Sequence, residues 1–119
     1  MEHVIWPEEV GEYKVIQLEV GSQYFLRFHR EPILHADMLK FFLEENNIPY
    51  EMEEGINYPF QESEEYRLVG TGYAFIIPGE KEAIFYGRSK GYDIPINTQH
   101  LHSIGPFVDG CELRNIKSD

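Results

Sequence analysis

The stretch EYKVIQLEVGSQYFLRFHR, residues 12–30, constrains the fold more than any other part of the chain. Two runs rich in β-branched and aromatic residues flank the pair Gly21-Ser22, a composition that predicts two strands joined as a hairpin. A helix must follow at once. LHADMLKFFLEENN (34–47) spaces Leu34, Met38, Leu39, Phe41 and Phe42 at helical intervals, and Asn46-Asn47 supplies a stop. Upstream, residues 1–7 read as a loose start ending near Pro7.

The rest of the chain repeats the alternation of sheet and helix. PYEMEE (49–54) reads as a short strand, and GINYPFQESEE (55–65) as an exposed acidic loop. YRLVGTGYAFIIP (66–78) and EAIFYGRS (82–89) are two further strands joined by the turn PGEK. KGYDIP (90–95) breaks the pattern, INTQHLHSI (96–104) is a short helix capped by Asn97 or Thr98, and GPFVDGCELRNI (105–116) closes with a strand. The order ββαβββαβ predicts an α+β fold in which a sheet packs against two helices.

The length of 119 residues matches one domain, residues 1–119, since single cores usually occupy about 100–150 residues. With 42% hydrophobic and 14% aromatic residues, the chain can form a packed core. Ten basic against 21 acidic residues give a net charge of −11, which repels polyanions and argues against nucleic acid as a partner. No apolar run approaches the roughly 20 residues that span a bilayer, and MEHVIWPEEV has no signal-peptide pattern, so no membrane partner and a cytoplasmic location are expected. Cys111 is the single cysteine, which excludes an intrachain disulfide and a thiolate zinc cluster, and reads as a small buried side chain.

Three features carry candidate chemistry. His35 lies where the helix begins; it is either a packed side chain bonded to a carbonyl or a base. The positive end of the helix dipole disfavours an imidazolium there and favours the Asp37 carboxylate. In YGRSKGY (86–92), Gly87 and Gly91 surround a hydroxyl and two cations after a strand; this is either an ordinary glycine turn or a nest of amides suited to phosphate. RFHR (27–30) and Lys14 concentrate positive charge on the paired strands, where Lys14 and Arg27 can flank one anion site. Screening confines distant acids to a reach of about 8 Å, so such a site is compatible with an acidic chain. His100 and His102, two apart, do not share a helix face and give no metal site.

Taken in order, these pieces resemble the Janus/Ocnus family, which includes the metal-independent phosphohistidine phosphatases. GEYKVIQLEV is similar to the family's first strand, with Lys14 at its substrate-side lysine. YFLRFHREPILHAD is similar to the next segment, with Arg27 at the family's arginine and His35-Ala36-Asp37 at the catalytic histidine and its neighbours. FYGRSKGY is similar to the Tyr-Gly-x-Ser-x-x-Tyr phosphate loop, with Ser89 at the serine.

The resemblance covers most of the chain and implies a mixed sheet packed against two helices. It implies hydrolysis of phosphohistidine or a related phosphoramidate, with His35 catalytic and Lys14, Arg27, Ala36, Ser89, Lys90 and Gly91 binding substrate. No metal or cofactor takes part in such a scheme, and the partner is a phosphorylated protein or a small phosphorylated ligand. Three departures stand out. Asp93 replaces the glycine that closes the family's loop, bringing negative charge toward the site. GINYP lacks the family's arginine, for which Arg67 or Arg88 is the substitute offered. The stretch 66–85 is longer than its counterpart and predicts an added strand or hairpin. These departures define the alternative, a non-catalytic phosphate- or protein-binding module with the same fold.

Overall fold

In the computed structural model, which describes residues 2–30, 32–52 and 58–116, five strands form one sheet flanked by two helices. Strands β1 (Gly11–Val20) and β2 (Gln23–His29) make the expected hairpin, with Lys14 opposite His29 and Ile16 opposite Arg27. β3 (Arg67–Ile77) pairs antiparallel with β1, β4 (Glu82–Tyr86) antiparallel with β3, and β5 (Glu112–Asn115) parallel with β4. The spatial order β2-β1-β3-β4-β5 is thus a mixed α+β sheet. The stretch expected to add a strand or hairpin forms β3 and β4 themselves, and β3 lies in the middle of the sheet.

Residues 13–18 of β1 are buried without a break because both faces of the sheet are covered. Successive side chains point to opposite faces. Ile16 and Leu18 pack with Met38, Leu39 and Phe42 of helix α1 (His35–Glu45), whereas Tyr13 and Val15 pack with Leu101 and Ile104 of α2 (Thr98–Ile104). α1 starts where expected: the Asp37 carboxylate accepts the Leu34 N–H at 3.3 Å, tying down an amide just before the first turn. It stops at Asn46, with Asn47 in the left-handed region (φ 55°), a conformation asparagine tolerates.

α2 begins at Asn97, whose side chain accepts the His100 N–H at 2.9 Å. Asn97 also locks the helix to the sheet, since its N–H donates to Gln17 Oε1 at 2.7 Å and its side-chain amide donates to the Val69 carbonyl at 3.1 Å. Gln17, fully buried, crosses directly against Gly70, where a Cβ would stand 1.9 Å from Gln17 Oε1. His100 is buried in the same network and donates from Nε2 to the Leu18 carbonyl, while exposed His102 faces away.

Three expectations are corrected. PYEMEE forms no strand among its described residues, only the isolated bridge of Met52 with Pro59; Glu53 and Glu54 lie outside the described residues, as do residues 55–57 of the acidic loop. The start of the chain is docked, not loose: the Leu26 N–H donates to the His3 carbonyl at 2.8 Å, and the His3 ring stacks on Phe25 and Phe107. Cys111 is only half-buried, and burial pushes its thiol pKa up. No helix among the described residues is long and apolar enough to cross a membrane.

Candidate anion-binding site

Register brings the sequence features together. Lys14 pairs with Tyr73 and Tyr73 with Tyr86, so one row across β1, β3 and β4 places the turn after β4 beside Lys14. α1 begins against the same row, and a cleft of about 310 Å³ opens between them. Lys14, His35, Ala36, Ser89, Lys90 and Gly91 line it, with Leu34, Tyr58, Tyr73 and Tyr92 as its other described walls. Six of the seven residues expected at one site therefore converge.

Each has a definable position. Lys14 is only 8% exposed, so its ammonium requires polar partners; it donates to the Ile33 carbonyl at 2.6 Å and thereby holds the chain leading into α1. His35, 6% exposed, is the first residue of α1, with Nε2 2.7 Å from the Gly72 carbonyl oxygen. A carbonyl only accepts, so Nε2 carries the proton; in the neutral ring Nδ1 is then the basic nitrogen. The Tyr73 ring meets the imidazole edge-on with centroids 5.5 Å apart, which fixes the ring plane. Of the two roles weighed for His35, packing against a carbonyl is the one this contact shows.

The glycine loop is a compact turn. Gly87 takes φ 74°, a conformation that favours glycine, and a short bridge between Arg88 and Pro95 closes the loop. Inside it the Ser89 carbonyl accepts the Asp93 N–H at 2.8 Å and the Ser89 hydroxyl oxygen accepts the Tyr92 N–H at 3.3 Å. The Ser89 N–H donates to the Thr71 hydroxyl at 2.8 Å and so is not offered to a ligand. Among the described residues the amides of Lys90 and Gly91 enter no hydrogen bond.

Arg27 is the residue that does not converge. It shares the α1 face with Lys14 but sits two positions along the hairpin, opposite Ile16. Its guanidinium donates to the carbonyls of Glu2, His3 and Leu26 and lies over the rings of Phe25 and Phe42. Burial lowers its pKa, opposed by Glu45 and Glu2. The docked N-terminal segment thus takes up the fork that was expected at the anion site.

Asp93 also differs from expectation. Its φ of 54° explains the loop's need for glycine or a tolerant residue there, and its carboxylate lies 3.3 Å from Arg88 and outside the cleft lining. Arg67 pairs with Glu62 at 3.4 Å, so neither Arg67 nor Arg88 replaces the absent arginine at the cleft. In a chain of net charge −11, the described lining holds two lysines, one histidine and no carboxylate. This segregation of charge makes the cleft the candidate anion site.

No protein-family model and no curated protein matches this chain. The chemistry of the cleft rests on its own residues. A helix start, two ammonium groups and loop amides offer donors to an oxyanion from several directions, beside an imidazole with a defined tautomer. Sequence reading missed the wall residues Tyr58 and Tyr73 and the anchors Thr71 and Gly72. Apart from its two glycines, VGTGY (69–73) reads as a plain strand, and only the pairing shows which groups it offers to the cleft.

Proposed function

We propose that the cleft binds a phosphoryl group and that the protein is a metal-independent phosphatase acting on a phosphoramidate. Phosphohistidine is the substrate class implied by the resemblance to Janus/Ocnus proteins. The observation carrying this reading is that Lys14, Lys90 and the first turn of α1 surround the cleft at His35, with no carboxylate among the described lining residues.

In the reaction a water attacks phosphorus while His35 Nδ1 takes one of its protons. As the new P–O bond forms the P–N bond breaks, its electron pair stays on the leaving nitrogen, and the proton held by the imidazolium returns to that nitrogen. The amides of Ala36, Lys90 and Gly91, the Ser89 hydroxyl and the two ammonium groups stabilise charge on the phosphoryl oxygens. Preorganised donors in a partly enclosed cleft need little rearrangement as that charge shifts, which is the usual source of catalysis in phosphoryl transfer.

The test is phosphate release from a phosphohistidine peptide, in chelator, by the wild-type protein and His35→Ala. General-base removal is expected to slow release by about 100-fold or more. Equal rates would remove His35 from the mechanism, and saturable phosphate binding without release would leave the protein a non-catalytic binding module.

A further inference from the structure

The N-terminal half of β3 extends past the end of β4, and among the described residues no further strand of the sheet pairs with its outer edge; Glu62 bridges Arg67 at its start, and the loop following β4 folds back along it at Thr71. Thr71 lies on this edge, fully buried, and touches the loop at both ends. Its backbone N–H donates to the Ile94 carbonyl at 3.0 Å, its hydroxyl donates to the same carbonyl, and its hydroxyl oxygen accepts the Ser89 N–H at 2.8 Å. A hydroxyl has one donor and two acceptor sites, so both contacts can be made simultaneously.

We propose that Thr71 is a positioning residue that sets the anion affinity of the loop by fixing Ser89 and Ile94 on one side chain. This rests on the phosphate-binding reading of the cleft. The bonds radiating from Ser89 and Thr71 use the amides of Ser89, Tyr92 and Asp93 and the carbonyls of Ser89 and Ile94. Among the described residues the successive amides of Lys90 and Gly91, which lie between the anchored ends and line the cleft, enter no hydrogen bond and are left for a ligand. Their direction depends on those ends being held. With the hydroxyl removed, the Ser89 amide loses its acceptor, the loop gains conformations, and binding an anion must restore order that the wild type already has. Valine has the shape of threonine and lacks the hydroxyl, while serine keeps the hydroxyl and lacks the methyl group.

The experiment measures inorganic phosphate affinity by titration, and the KM and kcat of phosphate release from a phosphohistidine peptide, for wild type, Thr71→Val and Thr71→Ser. Ile104→Val, a change in the core beneath α2 and remote from the cleft, serves as a destabilised control, and all proteins are assayed well below their melting temperatures. Thr71→Val is expected to weaken phosphate binding and raise KM by about tenfold, with a smaller change in kcat because His35 keeps its Gly72 contact. Thr71→Ser is expected to restore binding to within about threefold, and Ile104→Val to bind as wild type does. Amide exchange at Ser89 should accelerate in Thr71→Val and not in Thr71→Ser. If wild type binds phosphate and Thr71→Val binds equally well, or if Ile104→Val loses as much affinity, the positioning role is overturned while the site stands. A wild-type protein that neither binds nor releases phosphate overturns the site itself, and this role with it.

Discussion

His35 Nε2 and the Gly72 carbonyl oxygen, 2.7 Å apart, join the start of α1 to the centre of the sheet and decide which imidazole nitrogen is basic. The strand position that supplies this carbonyl has little freedom to vary. Gly72 has φ 154°, and a Cβ there would stand 2.5 Å from the Tyr86 carbonyl oxygen and 2.9 Å from that of Gly87.

Gly72→Ala should therefore destabilise the fold by on the order of 3 kcal/mol, through backbone overlap and an unfavourable φ. Because the shift moves the carbonyl that holds His35, phosphate release should fall further than the loss of folded protein accounts for. Urea denaturation alongside a rate per folded molecule checks both parts.

Arg27→Met should behave as a stability variant. The guanidinium bonds to three backbone carbonyls and holds the N-terminal segment on β2, and hydrogen bonds to a charged group contribute about 1.5–3 kcal/mol in favourable cases. A loss of about 1–2 kcal/mol is expected in denaturant, with faster amide exchange at Leu26 and phosphate affinity within about twofold of wild type. A large loss of affinity at full stability would place Arg27 at the anion site after all.

Asp93→Gly should preserve the loop, since glycine adopts φ 54° without penalty and the exposed contact with Arg88 contributes little. Phosphate affinity is expected within about threefold of wild type, rising if at all because a nearby negative charge is removed. Asp93→Val, which disfavours that φ, should weaken binding more than Asp93→Gly does. Titration of both variants with phosphate separates backbone geometry from charge.

Burial lowers the pKa of His100 from its ordinary 6.5, outweighing the opposing effects of the Leu18 carbonyl and Glu19. The folded-state pKa lies below the unfolded one, so the unfolded chain binds the proton first as pH falls. Stability contributed by the neutral ring is whole above about pH 6.5 and is lost as pH drops from there toward the folded-state value, by at most about 1.4 kcal/mol per pH unit. Denaturant midpoints for wild type and His100→Gln between pH 7.5 and 5.5 should converge on acidification. Taking the difference cancels the titration common to both proteins.

The two hairpin strands, the limits of α1 with Asp37 and Asn46, a cap for α2 at Asn97 or Thr98 and the final strand were all legible in the sequence. Each depends on local periodicity or on a side chain bonding to a backbone a few residues away. Lys14, His35, Ala36, Ser89, Lys90 and Gly91 line one cleft, although nothing local required those segments to meet. Their meeting follows from the pairing of Lys14 with Tyr73 and Tyr73 with Tyr86, which places the loop after β4 beside β1. Only tertiary structure decided the fate of Arg27, taken by the carbonyls of Glu2 and His3, and the fate of PYEMEE, which forms no strand among its described residues. Residue type fixes what a side chain is able to bond. Which partner it receives is set by contacts distant in sequence, and these depend on register and on the segments that dock along the sheet's open edges.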